Sequence, residues 1–141
     1  MSNVRALDVI EDLLSGKEIF FRYIKTVGDL MSQPAIKVTL DQSLKEILDL
    51  FEIHNIRHLP VIDVDEKTKE EFLVGVISNR DILRQLSPGY GTLAEKGTDQ
   101  ISLRLLCSTV FTRNIETIAP QDLLFPAIEK MLRLKVDCLP V

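Results

Sequence analysis

Two segments of the 141-residue chain repeat one pattern of apolar positions at a spacing of 80 residues. Residues 26–61 align with residues 106–141 without a gap. Identity is low, because only four of the 36 positions match, and three of those form the Leu-Pro-Val that ends both segments. The apolar positions nevertheless agree along most of the alignment, which is typical of a repeated supersecondary unit. We therefore predict two copies of one small fold.

The first copy predicts the element order strand, helix, strand, strand, helix. Residues 36–39 alternate apolar and polar side chains, as a half-buried strand does. A helical stripe of apolar residues begins near Leu44, with Asp41 or Ser43 as its cap. Two apolar runs on either side of the polar stretch 65–71 predict an antiparallel hairpin, and a last helix follows it. This order indicates a mixed α/β fold.

The second copy is shorter than the first. A copy as long as residues 26–86 that started at residue 106 would end near residue 166, about 25 residues past the last one. The missing part would carry the second hairpin strand and the last helix, so we interpret the second repeat as truncated. Its remaining helix contains Pro126, which is tolerated only in a first turn. That helix is therefore expected to begin near Phe125.

The N-terminus predicts an amphipathic helix. Five apolar residues recur at three- and four-residue spacing between Val4 and Leu14, and Gly16 follows as a stop signal. Its apolar face requires a partner within the chain or across a dimer interface. The predicted domains are an N-terminal helical segment at 1–25, a first repeat at 26–86, a linker at 87–104 and an incomplete second repeat at 105–141.

Composition argues against several classes of partner. The formal net charge is -4 and there is no Trp, so neither attraction to phosphate backbones nor an aromatic stacking platform is indicated. Nucleic-acid binding through Arg22, Lys25, Arg57 and Arg80 stays open as a weaker alternative. No apolar run reaches the roughly 20 residues of a membrane-spanning helix. The two cysteines form no recognisable framework, so a reducing cytoplasm is expected.

Motifs of common enzymes are missing from the sequence. It has neither a Walker-type phosphate loop nor a G-x-S-x-G elbow. His54 and His58 have a spacing that suits a metal on a helix, but Pro60 and a strand-like run follow the second of them. Cys107 and Cys138 occupy apolar repeat positions and are interpreted as buried structural thiols. We therefore expect neither catalysis nor a metal site.

Three stretches in this order resemble a CBS domain: VGDLMSQPAIKVTLDQSLKEILDLF from Val27, IRHLPVID from Ile56 and LVGVISNRDIL from Leu73. Residues 106–141 resemble the front of a second one, so the resemblance covers roughly residues 26–141. It implies an α/β fold of tandem β-α-β-β-α repeats related by pseudo-twofold symmetry, a pair known as a Bateman module. Such pairs commonly form homodimers. Clefts between their repeats bind AMP, ADP, ATP or S-adenosyl compounds.

The family's nucleotide motif matches Gly75-Val-Ile-Ser78-Asn79-Arg80-Asp81. The resemblance implies that Ser78 offers its hydroxyl to a phosphate or ribose oxygen and that Asp81 accepts the ribose hydroxyls. Arg80 is able to pair with phosphate, and Asn79 opens the helix beside them. The same Ser-x-x-Asp spacing is also that of a capping box. Both readings of the motif stay open, and one does not exclude the other.

Arg57 and His58 form a second cluster of candidate ligand-binding residues. The resemblance implies this role, because basic residues at these two positions reach phosphates in nucleotide-sensing members of the family. A surface arginine and a half-buried histidine at a strand end are the structural alternative. The equivalent positions of the second repeat are Asp137 and Cys138, and neither is basic. If the second repeat serves the Asp81 cleft, AMP, adenosine or an S-adenosyl ligand is favoured there over ATP.

The resemblance also implies that the strand entry from Ile36 to Val38 lines an adenine pocket, with core packing as the alternative for Val38. The predicted function is that of a non-catalytic regulatory module for signal transduction that binds an adenosine-type nucleotide, with AMP favoured. A regulated partner protein is then expected. Two alternatives are a structural dimerisation module without a ligand and a regulatory fragment of a larger enzyme or transporter.

Overall fold

The structure, a computed structural model, describes residues 25–141. The predicted N-terminal helix lies outside the described residues. In chain order the elements are β1 (Val38–Thr39), α1 (Leu44–His54), β2 (His58–Val64), β3 (Glu71–Ser78), α2 (Asn79–Leu83), α3 (Gly97–Ser102) and α4 (Leu124–Leu134), with 3-10 turns at Val27–Asp29 and Cys107–Thr109. The predicted mixed α/β fold is confirmed, and so is the element order of the first repeat.

The three strands form one sheet in the order β1-β2-β3. Strand β1 is parallel to β2, with Val38 opposite Val61. Strand β3 is antiparallel to β2, with Ser78 opposite His58. The end of β3 and the start of β2 therefore lie at the same edge of the sheet, and this edge carries most of the predicted site residues.

Helix α1 shows how local sequence sets an element. Its cap Ser43 accepts a hydrogen bond from Glu46 N at 3.3 Å, while Ser43 N donates to the Glu46 carboxylate at 2.7 Å. This reciprocal pair satisfies two backbone donors that a helix start would otherwise leave unpaired. The helix ends at His54, and the left-handed backbone of its C-cap Asn55 (φ 50°) closes the last turn. Its buried face consists of Leu44, Ile47, Leu48 and Phe51, as predicted.

The described chain divides into two compact units. One comprises the described residues up to Pro34 together with Glu116–Val141, and the other comprises Ala35–Ile115. The second unit holds the main core, which packs α1 and α2 on the sheet. Its buried members are Val38, Leu44, Ile47, Leu48, Phe51, Leu59, Val61, Ile77, Ile82, Leu103, Cys107 and Phe111.

The repeat recurs in the hydrogen bonds of each unit. In the unit Ala35–Ile115, Cys107 N donates to Gln42 O at 2.8 Å. In the other unit, Val27 N donates to Asp122 O at 2.9 Å, which is the same bond with each residue displaced by 80 positions. The first residues of each sequence repeat thus pair with the loop before the helix of the other repeat. The predicted boundaries of the repeats stay a prediction, because the two compact units are defined by packing and each contains residues of both sequence repeats.

Helix α4 begins at Leu124, one residue earlier than predicted and at the same repeat position as α1. Its cap is Leu123, which has no side-chain oxygen, and Pro126 stands at the third helical position. Glu46 occupies the same position in α1, and its backbone amide donates to the Ser43 hydroxyl. Pro126 has no amide hydrogen, so no capping side chain is required to accept a hydrogen bond at that position of α4.

The Leu-Pro-Val at 139–141 forms no strand in the described residues. One bond, from Ile118 N to Pro140 O at 3.0 Å, corresponds to the pairing of β1 with β2. In the first repeat β2 has a neighbour on both sides, because β3 pairs with its other edge.

Cys107 provides a test of the core by alkaline titration. Burial raises the pKa of its thiol from the ordinary 9.0 to about 11. The unfolded thiol therefore loses its proton first as the pH rises through 9. We expect this thiol to lower the free energy of unfolding by about 1.4 kcal/mol per pH unit between these two values. Denaturant unfolding at several pH values measures this slope.

The matched variant is Cys107→Val, since valine occupies the equivalent repeat position 27. It removes this titrating group and should make the alkaline slope shallower by about 1.4 kcal/mol per pH unit. The Cys138 thiol, whose pKa is also raised to about 11 by burial and by Asp137, stays in both proteins. Equal slopes in the two proteins would contradict the assignment to Cys107.

Candidate functional site

The junction of β3 and α2 carries the predicted motif. Ser78 N and Ser78 Oγ donate to Asp81 Oδ2 at 2.8 and 2.7 Å, and Asp81 N donates back to Ser78 Oγ at 3.3 Å. The three bonds form a capping box at the start of α2. The structural alternative for this pair is therefore confirmed. The Ser78 hydroxyl both donates and accepts inside the box, so its capacity for a ligand is small.

The second oxygen of the Asp81 carboxylate is placed differently. Oδ1 lies 3.7 Å from Arg84 Nη1, a pair beyond hydrogen-bond distance. The Asp81 side chain is 17% exposed, and that of Arg84 is 75% exposed. Because Oδ2 holds both bonds to Ser78, the box orients the carboxylate and leaves Oδ1 able to accept hydroxyl donors.

The sheet register brings the second predicted cluster to the same edge. His58 is the first residue of β2 and lies opposite Ser78. Arg57 comes just before it, and its carbonyl accepts a hydrogen bond from Asn79 N at 3.0 Å. The Arg57 side chain is exposed and His58 is half-buried. Arg57 and His58 are thus neighbours of Asn79 and Ser78 through backbone pairing, although the paired residues are 22 and 20 positions apart in sequence.

Asn79 has a buried polar atom without a hydrogen bond to the described residues. Its Oδ1 is buried and has no hydrogen-bond partner among residues 25–141. Buried polar atoms are nearly always paired in folded proteins, because each unpaired one costs its full desolvation. Arg80, the next residue, is exposed. The predicted ligand roles of these two residues stay predictions.

The strand entry is mainly part of the core. The Val38 side chain is fully buried and belongs to the central cluster, and half-buried Ile36 packs against that cluster. Lys37 between them forms an ion pair with Glu71 on β3. The side chain of Val38 therefore serves packing, and a role for Ile36 and Val38 in holding an adenine ring stays a prediction.

The sequence model of the CBS domain family matches residues 27–88. Residues 27–88 of this chain therefore form a CBS domain. The chain is 28% identical over 118 residues to L-aspartate semialdehyde sulfurtransferase of Methanocaldococcus jannaschii, a match that covers 84% of this chain and 19% of that protein. The chain thus spans about a fifth of the length of this curated relative.

Two solved CBS structures with bound ligands are similar to the chain. The CBS domain pair of protein MJ0100, in complex with 5'-methylthioadenosine and S-adenosyl-L-methionine, has a TM-score of 0.59 and 26% identity over 80% of this chain and 76% of that one. CBSX2 in complex with AMP has a TM-score of 0.61 and 26% identity over 82% of both chains. The fold is therefore that of the CBS domain pairs.

Two features of this CBS domain were missed by sequence reasoning. Arg84 was not among the predicted residues, although its spacing of three from Asp81 on a helix would have indicated the pair. Gly75 was taken as part of the ligand motif, but the structure gives it a packing role. A Cβ atom on Gly75 would lie 2.3 Å from Thr112 O and 2.4 Å from the Phe111 ring. Only the folded chain brings these residues together.

Metal and membrane roles receive no support from the residues that the structure describes. No group of three metal-binding side chains occurs among them. His54 ends α1 and His58 begins β2, so the pair does not share a helix. No described helix of the protein has the length and apolar character to cross a membrane. A surface hollow of about 400 Å³ beside the start of α1 contains none of the predicted site residues.

Proposed function

We propose that this chain is a non-catalytic regulatory module that binds an adenosine-type ligand at the β3–α2 junction. The observation that carries the proposal is the Asp81 carboxylate, which the Ser78 box orients with Oδ1 left to accept. A carboxylate held in this way suits the two adjacent hydroxyls of a ribose. The ligands of two similar CBS structures, AMP in one and S-adenosyl compounds in the other, support the ligand class.

The neighbouring residues supply the remaining contacts in this proposal. Arg57 and Arg80 pair with a phosphate through charge-assisted hydrogen bonds. His58 and Asn79 lie between them at the sheet edge. The adenine ring rests against the strand entry at Ile36. AMP is the favoured ligand, because one phosphate is enough to engage these groups.

Regulation follows from differential binding. A ligand that binds one arrangement of the two repeats better than another shifts the population toward it, and a partner protein reads the change. We place this module in the cytoplasm as a homodimer. The match to a fifth of a sulfurtransferase supports a second candidate, in which the chain is the regulatory part of a larger enzyme.

The proposal is tested by Asp81→Asn. The variant keeps an oxygen that can accept from Ser78, but it removes the charge that holds the ribose hydroxyls. Since a hydrogen bond to a charged group contributes about 1.5–3 kcal/mol, affinity for AMP should fall about 10- to 100-fold. Isothermal titration calorimetry with AMP, ADP, ATP, 5'-methylthioadenosine and S-adenosylmethionine measures this.

Glu46→Gln is the matched control. Glu46 forms the same box with Ser43 at the start of α1, so the variant perturbs a cap without touching the proposed site. It should bind AMP as the wild type does. If Asp81→Asn retained wild-type affinity, or if no adenosine ligand bound the wild type, the proposed function would be wrong.

A further inference from the structure

Three arginines lie around Asp81, and we call them the arginine set: Arg57, Arg80 and Arg84. The Arg57 carbonyl accepts from Asn79 N, and Arg80 is the residue before Asp81. Arg84 is one helical turn later, with Nη1 at 3.7 Å from Asp81 Oδ1. All three side chains are exposed. The formal charges of this set and of Asp81 therefore leave an excess of positive charge at the sheet edge.

The two ligand classes of the proposed function differ in charge. AMP carries a negatively charged phosphate, whereas S-adenosylmethionine carries a positive sulfonium next to the same ribose. A lone carboxylate would attract the sulfonium and repel the phosphate. A guanidinium close to that carboxylate offsets its charge, and the further guanidinium groups of the arginine set then favour the phosphate.

We propose that Arg84 sets the charge class of the ligand, so that the site takes an anionic adenosine nucleotide in preference to a sulfonium compound. The inference rests on the proposed function and adds a specificity-determining residue to it. The geometry permits the role. At 3.7 Å, Arg84 is attracted to Asp81 without a hydrogen bond that a ribose hydroxyl would have to break.

The exposure of Arg84 is also suited to this role. With its side chain 75% exposed, the guanidinium is able to turn from Asp81 toward a phosphate at little cost in buried surface. The planar guanidinium offers paired donors that match phosphate oxygens. Arg84 therefore favours the binding of an anionic ligand by two effects, since it neutralises the carboxylate and contacts the phosphate. Neither effect favours the binding of a cationic ligand.

The test compares AMP, adenosine and S-adenosylmethionine binding to the wild type, Arg84→Gln and Arg84→Lys by calorimetry at low salt. Exposed charge pairs contribute about 0.2–1 kcal/mol, so Arg84→Gln should weaken AMP binding by about 1.4- to 5-fold. Binding of adenosine should change little, and S-adenosylmethionine should bind equally well or better. Arg84→Lys keeps the charge and should stay within about twofold of the wild-type preference. Added salt should reduce all these differences.

Arg104→Gln is the control, because Arg104 is an exposed arginine of the same unit that lies beside the separate hollow. An unchanged ratio of AMP to S-adenosylmethionine affinity in Arg84→Gln would overturn the inference. So would an equal change in Arg104→Gln, or a loss in Arg84→Lys as large as that in Arg84→Gln. In these cases adenosine ligands still bind the wild type, and the proposed function stands. If none binds the wild type, both fail.

Discussion

Gly75→Ala is expected to lower the free energy of unfolding by about 3 kcal/mol, at the upper end of what overpacking costs. The added methyl group would lie 2.3 Å from Thr112 O and 2.4 Å from the Phe111 ring. The carbonyl has little freedom to move, because Val76 N donates to it at 3.0 Å and Thr112 N donates to Val76 O at 2.8 Å. Arg113 stacks on the Phe111 ring and restricts it further. The clash must therefore open the pairing between β3 and Thr112.

Gly97→Ala is the control for this prediction. Gly97 is the first residue of α3, and nothing lies within 4 Å of the position that its Cβ would take. Alanine there should be neutral or stabilise by up to about 1 kcal/mol, because it lowers the entropy of the unfolded chain. Urea unfolding of both variants measures the difference. Equal stabilities would show that the close approach at Gly75 is not a constraint.

Asp99→Asn is expected to lower the melting temperature by several degrees and to loosen the linker between the repeats. The Asp99 side chain is almost fully buried, at 2% exposure. Its two oxygens accept three hydrogen bonds, from Ser87 N at 2.7 Å, Ser87 Oγ at 2.6 Å and Lys96 N at 3.0 Å. An amide has only one oxygen, so its NH₂ group would face a donor. An unpaired buried donor is among the costly defects of a folded protein.

The bonds from Ser87, followed by the one from Lys96, hold the pKa of the Asp99 carboxyl below its usual value of 3.8. As the pH falls, the unfolded chain therefore binds this proton before the folded one does. The contribution of Asp99 to stability is present above pH 3.8 and is lost as the pH drops below it. The Asn variant should lack this acid dependence, which thermal melts at pH 7 and at acid pH measure.

Asp65→Asn is the matched control for Asp99→Asn. Asp65 accepts from Lys67 N and Thr68 N through a single oxygen in the hairpin turn, and an asparagine oxygen is able to replace it there. This variant should melt close to the wild type. A similar loss in both variants would mean that burial of Asp99 adds nothing to the cost.

Much of the fold follows from local physics that the sequence displays. The spacing of Leu44, Ile47, Leu48 and Phe51 fixes which face of α1 is buried, and Ser43 marks where the helix begins. The hairpin and the Ser78-to-Asp81 box are also short-range features, since both depend on residues close in the chain. Even the repeat was visible, because periodic burial leaves the same apolar register in both copies.

Sequence alone determined the order of the elements in the first repeat, their buried faces and the motif at the start of α2. Only the tertiary structure decided what those faces meet. It placed Thr112 and Phe111 over Gly75, buried Asp99 against Ser87, and set His58 beside Ser78. Hydrophobic periodicity indicates which side chains are buried, but it does not indicate which distant residues they pack against. The packing partners depend on contacts between segments far apart in the chain, and no local sequence pattern predicts such contacts.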